Sequence, residues 1–508
     1  GGSSSFDNNT SLNASLVTDD HRAGLYVFGQ NRHRDAYDHD GDGYSEMPKL
    51  KNQTVGFRSF LKTSTYSKLT FEYHHLQEFR RGGNMLNRPP HEADIAEQIQ
   101  HSINGGGLKF DYFAPNEKHR LTLYTSAQHT DRDSYYGSKK DLNAYGKTTD
   151  LTFIGGSQYV YSFDKCLFMP ADLTAGLEYN RDNLKDDMWG YNRYTRQTVN
   201  IGSAFFQNEW KNEKWSILLG GRLDKHNLIN HVIFSPRANL RFNPTQDVNL
   251  RLSYSSGFRA PQAFDEDLHI ENVGGTVSMI ERAKNLKEEK SQSFSASADI
   301  YHRFGAFQVN FLVEGFYTKL SDVFVLENIG VRDGILIKER RNGSGAKVLG
   351  LSMEGKMAYL SLFQLQAGVT LQQSRYDEPE KWSETAPAQK KIFRTPNTYG
   401  YFTATYTPVK PLSVSLSGTY TGSMLVQHMA GYIKTDIAVN TRDFFDMGVK
   451  LAYDFKLYKT IDLQLSAGVQ NVFNAYQNDF DQGVERDSGY IYGPAAPRSY
   501  FTGVKISY

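Results

Sequence analysis

The feature that most constrains this chain is an alternation of period two that recurs from about Ser11 to Tyr508. In Lys68-Leu-Thr-Phe-Glu-Tyr73, Val248-Asn-Leu-Arg-Leu-Ser-Tyr254 and Val504-Lys-Ile-Ser-Tyr508, apolar or aromatic residues fall on one face and charged or small polar residues on the other. Successive strand residues point to opposite sides of a sheet, so each segment reads as a strand with one greasy and one wet face. The joints between segments come in two lengths. Short polar turns are expected at Asp19 to His21, Ser64 to Ser67, Pro115 to Lys118, around Cys166, Lys211 to Lys214, Asn243 to Gln246, Arg303 to Gly305, Ser361 to Phe363, Pro408 to Lys410 and Lys456 to Lys459. Between them lie long polar stretches: 32–50, 80–103, 131–146, 184–198, 257–289, 377–395, 422–443 and 470–497. Lipid outside, water inside, short turns on one rim and long loops on the other describe an all-β fold, a large antiparallel transmembrane β-barrel of the bacterial cell outer membrane.

Composition agrees with this reading. The 508 residues contain no Pro, Ser or charge run that would divide them into domains, so residues 1–508 are taken as one barrel. Mean hydropathy is −0.56, and no run of about eighteen apolar residues occurs, which excludes a membrane-spanning helix. Tyr (32) and Phe (32) gather near predicted strand ends, as at Tyr159, Tyr161 and Phe163, where rings suit a membrane interface. A net charge of +1 without a basic patch leaves no case for a nucleic-acid partner. The single cysteine, Cys166, excludes an internal disulfide.

Counting segments gives about 21 strands, the first and last both running toward the short-turn rim. Single-chain bacterial barrels close antiparallel with even counts, so the reading expects one further strand before Gly1 and about 22 in the intact barrel, the number found in plugged transporters. Diffusion porins use roughly 16 to 18 strands and fewer residues.

The residues also carry a resemblance. The run Ser253-Tyr-Ser-Ser-Gly-Phe258-Arg-Ala-Pro261-Gln-Ala-Phe264, then Asn285-Leu-Lys-Glu-Glu289-Lys-Ser291, Gly350-Leu-Ser-Met-Glu354-Gly and Asn471-Val-Phe473-Asn resemble, in order and spacing, the β-barrel of TonB-dependent outer-membrane receptors. The ending Gly489-Tyr-Ile-Tyr-Gly-Pro494 to Pro497-Arg-Ser-Tyr500 is similar to versions from Bacteroides-like bacteria. The resemblance implies active import of a scarce, bulky nutrient (a ferric siderophore, haem or cobalamin), powered by the TonB complex acting on an N-terminal plug that this chain is expected to lack. It further implies that no cofactor is required and that the molecule is not an enzyme; neither a phosphate-cradling loop, zinc spacing nor a nucleophile elbow is found. A passive or secretion pore and a surface adhesin are the alternatives. Outer-membrane lipid, lipopolysaccharide and a surface lipoprotein lid are the other partners such loops and walls would meet.

Candidate site residues follow from the long loops. In Asp38-His-Asp-Gly-Asp-Gly-Tyr-Ser-Glu46, the alternate carboxylates Asp38, Asp40 and Asp42, with Glu46, match the start of a calcium loop, since carboxylates in a tight Gly turn can converge on one hard cation; a solvated acidic turn has the same pattern. His269 in Asp265-Glu-Asp-Leu-His-Ile-Glu271 occupies the place where the family's haem receptors carry an axial histidine; a loop histidine held by neighbouring acids is the plainer reading. Arg259 belongs to the same stretch. The loop Arg80-Arg81-Gly-Gly-Asn-Met-Leu-Asn-Arg88-Pro-Pro-His91 can grip an anionic ligand through forked hydrogen bonds, or bridge to other loops or to lipopolysaccharide phosphates. At the C-terminus, Tyr500, Val504, Ile506 and Tyr508 form an outward stripe that resembles the signal read by the barrel-assembly machinery.

Overall fold

A computed structural model describes residues 5–273 and 276–508. Its main sheet has 22 strands, one of which, Gln389–Lys391, is a three-residue strip paired to the outer end of Phe363–Glu380. The other twenty-one form a meander in which each strand pairs antiparallel with the next, from Asp7–Val17 to Ser499–Ser507. Among the described residues, Asp7–Val17 pairs only with Ala23–Arg34, and Ser499–Ser507 only with Ile461–Gln470. All ten predicted short turns fall between neighbouring strands, including the Cys166 turn between Tyr145–Cys166 and Met169–Met188.

The alternation decides which way each side chain faces. On Val248–Arg259, Leu252 is exposed and pairs in register with Leu240 and Ala296, while Ser253 and Ser255 point to the other side. Leu219, Phe206, Phe311 and Leu371 extend the outward apolar band. Near the short turns the band ends in paired rings, with Trp215 stacked on Phe242 at 4.2 Å and Phe307 tilted against Tyr359 at 4.5 Å. Such rings mark the depth at which apolar lipid gives way to headgroups. Tyr500, Val504, Ile506 and Tyr508 are all strongly exposed on this outer face. No helix among the described residues is long and apolar enough to cross a membrane, and the crossing belongs to the strands.

Two expectations about the long loops need correction. Stretches 131–146 and 184–198 are mostly strand: His119–Ser138, Tyr145–Cys166, Met169–Met188 and Arg193–Lys211 run far past the rim. A strand of 22 residues spans roughly 70 Å, against about 25 Å for an apolar band. Beyond the lipid both faces meet water, so polarity rises while the hydrogen-bonded ladder continues, and composition alone cannot mark the end of the strand. The second concerns a connection absent from the long stretches named above, 322–345, which carries Phe324–Arg332 and Ile335–Asn342. They lie in a separate four-stranded sheet with Glu271–Val273 and Thr276–Arg282, the last pairing parallel to Ile335–Asn342.

Because the outward band is lipid-facing, Leu252→Arg is expected to lower the unfolding free energy in lipid vesicles by about 2–4 kcal/mol. Ser255→Asp, on the lumen side of the same strand, is expected to change it far less. Urea titration of the two variants in parallel checks the assignment of faces.

Candidate functional site

The long connections do not hang loose but pack into a second layer over the mouth of the barrel. The loop after Arg259 carries the short helix Asp265–Leu268, whose acids are each taken by an arginine from another element. Arg132 donates to Asp265 at 2.6 Å, Arg340 to Asp267 at 2.6 Å and to Glu266 at 3.0 Å, and Arg259 to Glu266 at 2.7 Å. Arg193 adds a bond to the Leu268 carbonyl at 3.2 Å and another to that of Asp267. Gln197 Oε1 accepts from the Ala263 amide at 2.7 Å and from Arg282 at 2.8 Å. Beneath these bonds Tyr136, Met188, Ile270, Met279 and Ile337 form an apolar core joining four connections. Charge-assisted bonds of this kind gain strength where water is scarce and fix the loop in one place.

Across the mouth a second clasp joins the first loop to the last. Buried Arg486 donates to Asp42 at 2.6 Å, to Glu46 at 3.3 Å and to the Asp481 carbonyl at 2.7 Å, with its guanidinium 4.7 Å above the Tyr44 ring. Asp481 in turn receives His428 Nε2 at 2.9 Å, and that imidazole lies flat on Tyr490 with centroids 3.7 Å apart. Three connections, 35–44, 422–443 and 471–498, are thereby locked together. Burial pushes the Glu46 and Asp487 carboxyls above their ordinary range.

The residues expected from sequence are distributed unevenly over this layer. Asp38, Asp40 and Asp42 do converge, with carboxylate oxygens within 4.8 Å of one another. Glu46 is not with them: it accepts the His39 amide at 2.6 Å and faces Arg486, because the chain has already turned into the strand Ser45–Ser64. Arg81 is 1% exposed, with its guanidinium donating to the carbonyls of Gly82 and Asn84, and burial lowers its pKa; it holds the shape of the loop. Gly83 sits at φ +96, where a Cβ would meet the Ile95 carbonyl oxygen at 2.0 Å; it is a fixed crossing. Arg259 stacks on Phe264 at 3.9 Å and is paired to Glu266. Arg88 and His91 lie on the outer surface, Arg88 3.8 Å from Glu92 and His91 2.7 Å from the Tyr145 hydroxyl. Among the predicted residues, His269, Arg80 and Glu46 reach a common space.

That space is a cavity of about 810 Å³ beneath the loop layer. His269 enters it at the end of the short helix, its ring edge-on to Tyr136 at 4.5 Å and its Nδ1 3.9 Å from Glu97. Arg80, paired to Glu78 at 2.6 Å, forms part of another wall. Phe324 and Lys338 come from the hairpin that the sequence reading did not separate, Trp382 and Phe393 from 381–397, and Arg486 and Asp487 from the last loop. No local pattern announces these contributors; Arg486 meets Asp42 across 444 positions.

The model for the family described as TonB dependent receptor-like, β-barrel, matches residues 2–472. Solved structures agree in fold. The siderophore receptor PirA of Acinetobacter baumannii superposes with a TM-score of 0.77 at 15% identity, covering 99% of this chain and 77% of the receptor. A mutant of the ferric enterobactin receptor PfeA of Pseudomonas aeruginosa gives 0.74 at 15%, with 99% and 77% covered. The ferric-catecholate import receptor Fiu of E. coli K12 gives 0.69 at 13%, with 99% and 80% covered. The search of curated proteins gives no match.

Removing one member of a buried ion-pair group leaves the others uncompensated, at a cost of about 3–5 kcal/mol. Arg486→Met is therefore expected to release the first and last loops while sparing the barrel. Hydrogen exchange should show faster amide exchange at 38–46 and 481–489 with unchanged protection in Val248–Arg259.

Proposed function

Because this chain belongs to the family of TonB-dependent receptors, outer-membrane transporters and not enzymes, we propose that it is the barrel of an importer for a ferric siderophore, energised through TonB. The observation that carries the reading is the cavity under the loop layer. Its volume, about 810 Å³, falls within the roughly 300–1,000 Å³ of small-molecule sites, and its walls combine aromatic rings with fixed polar groups. It lies on the long-loop side, where a solute arriving from outside meets the protein first. The clasps around Arg340 and Arg486 hold these walls in place before a ligand arrives, which reduces the ordering cost of binding. Structural neighbours described as siderophore and ferric enterobactin receptors add support at the level of the fold.

A second reading rests on His269. Its ring faces the cavity, is about one-third exposed, and has a neutral-imidazole chemistry able to ligate haem iron. No comparable feature favours cobalamin.

The test is a titration of the receptor, expressed from its complete gene and purified in detergent, with ferric siderophores, haem and cobalamin side by side. Saturable binding of a ferric siderophore, and iron-limited growth on it that requires TonB, are the expected results. A Soret shift with haem that is lost in His269→Ala would replace the siderophore reading with the haem one.

A further inference from the structure

We infer that the cavity selects a bulky ferric chelate without net negative charge, of the trihydroxamate kind, over an anionic tris-catecholate; this rests on the importer reading above. The inference comes from where the charges go. Five cations line the cavity: Arg80, Lys338, Lys381, Arg394 and Arg486. Each is already engaged. Arg80 is bonded to Glu78 at 2.6 Å, Lys338 to Glu271 at 2.6 Å and Lys381 to Glu384 at 2.7 Å. Arg486 serves Asp42 and Glu46, and Arg394 donates to the carbonyls of Ile491 and Gly489.

Five carboxylates share the same lining: Glu46, Glu97, Glu271, Glu380 and Asp487. The described lining therefore has no net charge with its histidine neutral, and Glu78, Glu384 and Asp42 behind it each pair with one of its cations. Glu97, about half exposed, has His269 at 3.9 Å as its nearest partner and presents its charge to the space. Among the described residues, the Glu380 carboxylate accepts the Ser344 amide at 3.0 Å and hydroxyl at 2.9 Å.

The ligand's charge follows from its donors. Three monoanionic hydroxamates around ferric iron sum to zero, whereas three dianionic catecholates leave three negative charges on the complex. An anionic chelate would compete with Glu78, Glu271, Asp42 and Glu46 for Arg80, Lys338 and Arg486, and would also face Glu97 across a space of reduced dielectric. Like charges brought together in this way act against the wrong ligand. A neutral chelate asks for none of this. It meets Phe324, Tyr376, Trp382 and Phe393, which offer flat apolar surface at low conformational cost. The ferric-catecholate receptor among the structural neighbours shares 13% identity, and that likeness extends to the fold alone.

Equilibrium binding of a neutral ferric trihydroxamate and a ferric tris-catecholate, each carrying radioactive iron, to the detergent-purified receptor from its complete gene tests the inference. The expected result is a preference of at least about tenfold for the neutral chelate, with little dependence on ionic strength. Glu97→Arg is expected to move the preference ratio toward the tris-catecholate severalfold. That ratio is read within one preparation, so partial misfolding does not mimic it. Equal or tighter binding of the tris-catecholate by the unaltered receptor would overturn the charge inference and leave the importer reading standing. Binding of neither chelate would overturn the importer reading and this inference with it.

Discussion

A backbone that crosses lipid has to bond every N–H and C=O group to itself, and everything else in this molecule depends on that requirement. The strands meet it with a single antiparallel meander whose members pair in sequence order. Once the ladder is fixed, side chains have only two directions, toward lipid or toward the lumen. Leu252 and Ser253 differ by one position and therefore by solvent. A slip of one residue would exchange the two faces of a strand, so alternation and register hold each other in place.

Above the lipid the constraint relaxes and a different organisation takes over. The long connections are held by buried arginines that reach partners from elsewhere in sequence: Arg132 and Arg340 take acids of the helix Asp265–Leu268, Arg193 takes its carbonyls, and Arg486 joins the first and last loops. These groups are costly to strip of water and worth little unless their partners are in place. They consequently act as locks that specify one arrangement of the walls. The same economy of charge leaves the cavity walls with few uncommitted cations, which links the way the loops are held to the kind of solute they can admit.

Legibility differed between the two layers for physical reasons. Turn positions such as Asn243 to Gln246 and Lys456 to Lys459 could be read because a hairpin needs a local change of chemistry at a defined place. Strand ends beyond the membrane could not, since Ser138 and Tyr145 sit in polar stretches equally suited to loop or ladder. The hairpin Phe324–Arg332 with Ile335–Asn342 lies in a connection absent from the long stretches read in the sequence. Of the residues singled out for ligand binding, His269 and Arg80 do reach the cavity, whereas Arg81 and Arg259 had the right chemistry but were already committed to neighbours.

By itself, the sequence determined the architecture: period-two alternation, short turns alternating with long connections and aromatic rings at strand ends require a lipid-spanning antiparallel wall, because each signal is local and each reports a solvent. The tertiary structure alone decided the site. Which arginine meets which acid, where Glu46 turns away from Asp38, Asp40 and Asp42, and how Arg486 reaches Asp42 across 444 positions depend on loops brought together by the curvature of the barrel. A side chain's free charge is a property of its neighbours, and in this fold those neighbours are remote in sequence.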